Sequence, residues 1–465
     1  MANTGTTAVR PFGMRDTLGY MFGDFGNDFT FMLSSSFMMV FYTDIMGVPA
    51  AIVGLLMMVA RFVDAFTDVA MGQIVDRAKP TKDGRFRPWI KRMCGPVAIA
   101  SFLIYQSEFA GMPMAFKVVW MFVTYLLWGS IFYTSINIPY GSMASAISPE
   151  ANDRTQLSTF RSIGATLANL VIGTATPLLA YETVNGVPQL SGSRMIMMAG
   201  LFSVCAIVCY ILCFSLTTER VVIPAKTEKF EPVALLKRIF TSRSLLGIIL
   251  AALCLLLTML TMTGMNPYIF PYYFKNTAAQ SAVAMCSSVA SLFVVAPLAT
   301  MLASKIGKKE TAIIGSLFGA IVYLICFILH PESGWVYLGF YTVAYAGLGL
   351  FNTIVWAMIT DVIDDSEVKN GVREDGTIYS VYSFARKLGQ AFSAGLVGAL
   401  LSMIGYSAAT QQDPAVLSGI YTIACVAPIV GFTVIALVLW FVYPLSKKVV
   451  DGNVETLKAR RTNRK

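Results

Sequence analysis

The chain has 465 residues, of which 56% are hydrophobic and only 13% are charged. Soluble domains carry about 25% charged residues, so this composition excludes a soluble globular protein and indicates one that crosses a membrane several times. The net charge of +9 is spread over the loops and tails rather than gathered in one basic patch. We therefore expect a lipid bilayer, and no nucleic acid, as the large partner of this chain.

Twelve apolar stretches are each long enough to cross a bilayer as an α-helix. They cover residues 17–46, 50–75, 92–112, 116–146, 157–182, 196–217, 244–273, 280–304, 310–331, 335–361, 377–406 and 415–444. Most of the 35 Lys and Arg residues lie in the tails and in the loops that follow an even-numbered stretch. This charge bias predicts that both termini are cytoplasmic. The polar N-terminal sequence predicts no cleaved signal peptide.

The longest polar interruption covers residues 217–243 and separates six apolar stretches from six. We therefore predict an all-α integral membrane protein with two six-helix bundles, residues 1–216 and 244–445, joined by a cytoplasmic middle loop. Residues 446–465 are predicted to form a solvated, basic cytoplasmic tail. Within the middle loop, the sequence LLKRIF fits either a short amphipathic helix on the membrane surface or a plain linker.

The first apolar stretch carries acidic residues in its interior, in the sequence GYMFGDFGNDF. Asp24 and Asp28 are one helical turn apart, so they lie on the same face of the predicted helix. Gly19, Gly23 and Gly26 in the same sequence would allow a neighbouring helix to approach closely.

The second stretch contains the sequence VARFVDAFTDVAMGQIVDR, in which Arg61, Asp64 and Asp68 share one face of a helix. A charge at the centre of a membrane costs about 2.5–3.5 kcal/mol, so these residues must face the protein interior or water. One interpretation is a structural salt bridge between Arg61 and a carboxylate. A cation site is favoured, because one arginine leaves one of the two carboxylates unbalanced.

The fourth and eleventh stretches also contain polar residues. In FYTSINIPYGS, Thr134 and Asn137 precede Pro139, which indicates either a simple kink or a backbone carbonyl freed for a cation. In YSVYSFARKLGQAF, Arg386 and Lys387 point about 100° apart, so they cannot both face one partner. They either reach the headgroups or face a cavity, and the long apolar run after them favours the cavity.

In these polar segments the sequence resembles the glycoside–pentoside–hexuronide:cation symporters of the major facilitator fold, which include the melibiose and glucuronide carriers. The resemblance extends over nearly the whole chain and rests on a series of motifs in order. These are FGDFGND, FYTDIMG, VARFVDAFTD, DGRFRPW, NIPYGS, TDVIDDSE and GVREDG followed by FARKLGQ. The resemblance implies the fold of this family, with twelve transmembrane helices in two six-helix bundles.

The resemblance implies roles for individual residues. Asp64, Asp68 and Thr134 match the cation ligands of the family, which would hold Na⁺ in a sodium-coupled carrier. Arg61 and Asp24 are interpreted as structural or coupling charges. Asp28 and Arg161 match sugar-site residues of the family, and Lys387 matches the lysine that links the sugar and cation sites. The other candidate sugar-binding residues are Asn27, Tyr133, Asn137, Asn352 and Arg386.

Three positions depart from the melibiose carrier. Asn137 and Gly141 stand where that carrier has an aspartate and a tryptophan, and Asn352 replaces a second tryptophan. NIPYGS and RKLGQA are more similar to the glucuronide carriers, in which an arginine also precedes the lysine of the eleventh helix. An added guanidinium such as that of Arg386 suits a substrate with a carboxylate, which it can bind through two parallel hydrogen bonds.

The resemblance implies a secondary active symporter that couples the inflow of Na⁺ or H⁺ to the uptake of a glycoside, with a glucuronide as the leading expectation. A symporter for a neutral glycoside, such as a xyloside or melibiose, is the alternative, and a drug or lipid transporter of the same fold is a more distant one. We expect a bacterial inner-membrane protein that acts as a monomer, is not an enzyme, and uses no cofactor besides its coupling ion.

Overall fold

The computed structural model describes residues 10–221, 242–371 and 375–462. The LLKRIF segment, for which the sequence left an amphipathic helix and a linker open, lies outside these residues. Within them, each predicted apolar stretch coincides with a helical segment, and these segments account for most of the described chain.

The helices are numbered in chain order. They are α1 Met14–Val40, α2 Ala50–Arg77, α3 Arg87–Ile104, α4 Met114–Ile147, α5 Ala151–Leu179, α6 Gly192–Leu216, α7 Arg243–Tyr273, α8 Thr277–Lys305, α9 Lys308–Leu329, α10 Gly334–Asn370, α11 Asp375–Met403, α12 Pro414–Val442 and α13 Lys447–Thr462. Among the described residues, nine of these helices are long and apolar enough to cross a membrane. Of the remaining predicted spans, α1, α3 and α11 each contain at least three charged residues, which lower their hydropathy.

Several helices contain turns of π-helix, in which the backbone bonds skip one residue more than in an α-helix. One such turn, Phe41–Ile45, extends α1, and another, Leu127–Tyr133, lies inside α4. The second turn leads directly into Thr134, one of the predicted cation ligands. A π-turn changes which residues face a neighbouring helix, so it matters for the site described below.

A small β-hairpin joins α5 to α6. Its strands, β1 Tyr181–Val184 and β2 Val187–Leu190, pair antiparallel across the turn formed by Asn185 and Gly186. Both turn residues have positive φ angles, 50° and 79°, as a type I′ hairpin turn requires. The sequence prediction ended the helix at residue 182 and assigned no strand, although the Asn-Gly pair is a hairpin signal.

The chain divides into two compact units. The described residues of unit 1 are 10–38, 63–172 and 191–221, and those of unit 2 are 39–62, 173–190, 242–371 and 375–462. Unit 1 therefore holds most of α1 to α6, whereas unit 2 holds α7 to α13 together with the hairpin.

Close helix packing in unit 1 depends on the glycines of α1. A Cβ added to Gly19 would lie 2.7 Å from Cβ of Leu216, and one added to Gly23 would lie 2.9 Å from Sγ of Cys213. The ring of Tyr140 fills the space beside Gly23 and stacks on Tyr20 with 4.6 Å between ring centroids. The prediction that these glycines permit close approach is confirmed.

The C-terminal segment corrects the prediction of a solvated tail. It forms α13, in which Leu457 is only 4% exposed. Nδ2 of Asn453 lies 3.3 Å from Oδ1 of Asp365 on α10, and the guanidinium of Arg460 donates to the carbonyl of Glu367. The basic composition of the segment made a solvated tail the expected state, but the apolar side chain of Leu457 is buried. The segment is therefore a helix that packs against the rest of unit 2, as far as Thr462.

Candidate functional site

A buried cluster of carboxylates and hydroxyls lies in unit 1 between α2 and α4. The hydroxyl of Ser130 donates a hydrogen bond to Oδ1 of Asp64, and Oγ1 of Thr134 lies 2.7 Å from Oδ1 of Asp68. Asp64 is 9% exposed and Thr134 is 3% exposed, whereas Asp68 is half-buried at the edge of the cluster. Asp64 and Asp68 are four positions apart on α2, and Ser130 and Thr134 are four positions apart on α4. Each helix therefore presents its two residues on one face, one turn after the other. The cluster brings together the three predicted cation ligands.

Ser130 is a member of this cluster that the sequence analysis missed. It lies in the π-turn Leu127–Tyr133 and is 4% exposed. Ser130 and Thr134 are four residues apart, as are Asp64 and Asp68. This matching spacing is the sequence signal that could have identified Ser130 as a partner of Asp64. Gly129 beside Ser130 borders the carboxylate, and a Cβ there would make ordinary van der Waals contact with Oδ1 of Asp64, at 3.4 Å.

The cluster offers only oxygen atoms. Besides the two carboxylates and two hydroxyls, the carbonyl oxygen of Gly129 lies 3.1 Å from Oγ1 of Thr134. Oxygen ligands of this kind suit a hard cation, and either carboxylate can also take up a proton. Arg61 lies one turn before Asp64 on α2.

An ion pair connects α1 and α5 in unit 1. Nε of Arg161 lies 3.0 Å from Oδ1 of Asp24, and the guanidinium also lies 5.5 Å from the ring centroid of Tyr140. The side chain of Arg161 is 41% exposed, so part of its guanidinium edge is accessible. The predicted structural charge, Asp24, therefore neutralises the predicted sugar-site arginine.

Polar side chains surround the next turn of α1. Tyr210 donates a hydrogen bond of 2.8 Å to Oδ1 of Asn27, and Nδ2 of Asn27 lies 3.4 Å from Oδ1 of Asn137. Asp28 is 9% exposed, and among the described residues no side chain donates to its carboxylate. Its oxygens can therefore accept hydrogen bonds from a hydroxylated ligand. Tyr210 was not singled out from the sequence because it lies in an apolar helix without a motif.

The predicted residues of α10 and α11 lie in unit 2. The guanidinium of Arg386 lies 5.4 Å from the ring centroid of Trp356 and donates a 3.2 Å hydrogen bond to the hydroxyl of Tyr382. Among the described side chains of unit 2, Arg386 forms no ion pair with an acidic residue. Asn352 lies one turn before Trp356, and Lys387 is half-buried. Arg386 thus lies in the interior of α11 rather than at its end, and its guanidinium is near the rings of Trp356 on α10 and Tyr382 on α11.

Comparison with known proteins identifies the family. The family model described as "MFS/sugar transport protein" matches residues 19–447. The chain belongs to this family of sugar transporters. The resemblance to the glycoside–pentoside–hexuronide symporters is confirmed, and the chain is a membrane transporter of sugars, not an enzyme.

Curated relatives of this sugar transporter match over most of their length. The glucuronide carrier protein homolog of Escherichia coli (strain K12) is 32% identical over 93% of both chains. The isoprimeverose transporter of Lactiplantibacillus pentosus is 32% identical over 92% of this chain and 88% of its own. A putative sulfoquinovose importer of Salmonella typhimurium (strain LT2) is 28% identical over 96% and 93%.

Solved structures agree on the fold. The D-xylose–proton symporter has a TM-score of 0.62 and covers 93% of this sugar transporter and 98% of its own chain, at 15% identity. A likeness at this identity concerns the fold alone. It confirms the predicted all-α membrane protein of the major facilitator fold.

Proposed function

We propose that this sugar transporter is a symporter that uses the inflow of Na⁺ or H⁺ to take up a glucuronide. The observation that carries the proposal is the buried cluster of α2 and α4, where Asp64 and Asp68 are each in contact with a hydroxyl. A membrane protein keeps two acidic side chains one turn apart at a cost, which a bound cation offsets. We assign the coupling ion to Asp64, Asp68 and Thr134.

The sugar is assigned to the polar side chains of α1, α4 and α5. Asp28 accepts hydrogen bonds from sugar hydroxyls, and the amides of Asn27 and Asn137 provide both donors and acceptors. The exposed edge of Arg161 adds a donor, while Asp24 keeps its charge neutralised. Tyr133, with its ring stacked 5.8 Å from Phe31, is proposed as an aromatic contact.

The proposal of an acidic glycoside depends on unit 2. Arg386 carries a charge with no acidic partner among the described side chains of unit 2, so the carboxylate of a glucuronide can neutralise it. The similarity to a glucuronide carrier homolog supports this choice. Asn352 and Lys387 are the other two substrate-binding residues that we propose in unit 2. A neutral glycoside, as in the isoprimeverose transporter, would leave the guanidinium without a counter-charge.

Coupling follows from the repulsion between Asp64 and Asp68. A cation bound between them removes the repulsion and fixes α2 against α4, so the substrate then meets an ordered site. By linkage, the substrate must raise the affinity for the cation by the same factor that the cation raises the affinity for substrate. We place the transporter in the bacterial inner membrane as a monomer with both termini in the cytoplasm.

A thermal-shift measurement on the purified full-length protein tests this proposal. A glucuronide should raise the unfolding temperature more in the presence of the coupling ion than without it, because the ligand stabilises only the folded state. Glucuronides, xylosides and galactosides are compared with and without Na⁺, and at pH values that change the proton concentration. A larger shift with a neutral glycoside would overturn the glucuronide assignment, and shifts independent of both ions would overturn the symport.

A further inference from the structure

One exposed tryptophan differs from the other exposed tryptophans of the described chain in its position along a helix. Trp356 is 42% exposed and lies in the interior of α10. Trp335 and Trp440, which are 52% and 61% exposed, lie in the first turn of α10 and the last turn of α12. Tryptophan commonly anchors a helix end at the membrane surface. Trp356 differs from the other two because its ring also lies beside a charged side chain, that of Arg386.

The surroundings of Trp356 are polar. Thr353 and Thr360, one turn before and one turn after it, are exposed on the same face of α10. The guanidinium of Arg386 lies 5.4 Å from the centroid of its ring. A charge in the interior of a membrane helix faces protein or water and not lipid, so the contact with Arg386 places the Trp356 ring beside a group that avoids lipid.

A second aromatic ring fixes the arrangement. Tyr382, which is fully buried, contacts Trp356 edge to face with 4.9 Å between ring centroids and an interplanar angle of 74°. Its hydroxyl accepts a 3.2 Å hydrogen bond from Arg386, whose guanidinium also lies 5.8 Å from its ring centroid. The two rings form a corner that holds the guanidinium on two sides.

This arrangement keeps Arg386 available for a ligand. An acidic partner would neutralise the guanidinium and occupy the paired N–H groups that a carboxylate needs. Aromatic rings attract the cation through their quadrupole and leave its N–H groups free. The guanidinium has five N–H donors, and the hydrogen bond to Tyr382 uses one of them, so a pair remains for bidentate binding.

We propose that Trp356 and Tyr382 are positioning residues that select acidic glycosides by holding Arg386 toward the carboxylate of the substrate. The exposed part of the Trp356 indole provides the apolar surface against which the bound glycoside packs. This inference rests on the proposed function, because it assumes that Arg386 binds the substrate's carboxylate. It adds two aromatic residues that neither the motifs nor the family resemblance singled out.

The test measures selectivity rather than activity alone. The full-length protein in proteoliposomes is assayed with p-nitrophenyl β-glucuronide and p-nitrophenyl β-glucoside, and the ratio of their kcat/KM values for uptake is compared among variants. Trp356→Ala should reduce the preference for the glucuronide about three- to tenfold, as expected for loss of a partly exposed cation–π contact. Tyr382→Phe keeps the ring but loses the hydrogen bond, and should reduce the preference about three- to tenfold.

Trp335→Ala is the matched control, because Trp335 is an exposed tryptophan on the same helix. Its selectivity should stay within about twofold of the wild-type value. Trp356→Phe keeps an aromatic face and should recover part of the selectivity lost in Trp356→Ala, which also covers the case in which the alanine variant does not fold.

The outcomes separate this inference from the proposed function. If Arg386→Ala abolishes the preference whereas Tyr382→Phe and both Trp356 variants keep it, the positioning role is wrong and the proposed function stands. If Arg386→Ala leaves the preference unchanged, Arg386 does not bind the carboxylate of the substrate, and the positioning role of Trp356 and Tyr382 is wrong as well. If the wild-type protein takes up neither glycoside under any ion gradient, the proposed function itself is rejected.

Discussion

At the scale of single residues, Asp68 is the position where a substitution should remove the coupling of substrate uptake to the ion without preventing insertion of the protein. Its Oδ1 atom lies 2.7 Å from Oγ1 of Thr134 inside the cluster of α2 and α4. Asp68→Asn keeps the size of the side chain and removes the negative charge that attracts a cation. We expect this variant to insert normally and to lose ion-driven accumulation of the substrate, measured as uptake against a concentration gradient.

Asp413→Asn is the control for Asp68→Asn, because Asp413 is exposed and lies just before α12. This substitution should leave accumulation within about twofold of the wild type, as most exposed substitutions change little. Concentrative uptake by Asp68→Asn at the wild-type level would rule out the carboxylate as an ion ligand.

Ser130 gives a second test of the same cluster. Ser130→Ala removes the hydroxyl that donates to Asp64, and a hydrogen bond to a charged group contributes about 1.5–3 kcal/mol. We expect the concentration of coupling ion needed for half-maximal uptake to rise about tenfold or more. Ser135→Ala, on the same helix with its hydroxyl 3.6 Å from Sδ of Met71, should change this concentration little. Equal effects of the two substitutions would contradict a role of Ser130 in the site.

At the scale of helices, the packing of α1 sets the position of the sugar-binding side chains. Gly23 allows Tyr140 to lie against α1, and the hydroxyl of Tyr140 donates a 2.7 Å hydrogen bond to the carbonyl of Tyr20. Gly23→Ala would press a methyl group against the Tyr140 ring and Sγ of Cys213. Overpacking of this kind costs about 1–3 kcal/mol, so the unfolding temperature in detergent should fall.

The control for Gly23→Ala is Gly339→Ala in the interior of α10, where nothing lies within 4 Å of the added Cβ. Alanine is favoured over glycine in helices by up to about 1 kcal/mol, so this variant should be as stable as the wild type or more stable. If both substitutions lower the unfolding temperature equally, close packing at Gly23 does not explain the effect.

The helices also show which parts of the fold the sequence predicts and which it does not. The apolar stretches predicted the helices correctly, because the length needed to cross a bilayer is a strong constraint. The π-turn at Leu127–Tyr133 was not predicted, since one extra residue in a helical turn leaves the apolar pattern almost unchanged. Ser130 was missed for this reason, and α13 was missed because its basic residues masked the single buried position of Leu457.

The grouping of the candidate site was anticipated in part. Asp64, Asp68 and Thr134 were singled out because charged and hydroxyl residues stand out in apolar helices, and the structure places them together. That they bind a cation stays a prediction. The partner of Arg161 was not found, because either Asp24 or Asp28 fits the helical spacing and only three-dimensional packing selects Asp24. Aromatic residues such as Trp356 and Tyr210 resemble ordinary membrane-helix residues in sequence, so their polar contacts became visible only in the fold.

At the scale of the whole molecule, the chain combines the major facilitator fold with two separate groups of polar residues. Unit 1 holds the carboxylate–hydroxyl cluster and the asparagines beside Asp28, and unit 2 holds Arg386 on its aromatic corner. Each group has a distinct predicted partner, namely a cation for the first cluster and the carboxylate of a glycoside for Arg386. The proposed symport requires both partners to bind to one protein.

The most direct test of this account is uptake of a radiolabelled glucuronide into proteoliposomes that contain the purified protein, with an inward Na⁺ gradient, an inward H⁺ gradient, or neither. We predict accumulation above the external concentration under at least one of the two gradients, and only equilibration when the gradient is collapsed with an ionophore. Accumulation to the same level with no ion gradient, or mere equilibration under both gradients, would contradict a cation-coupled carrier.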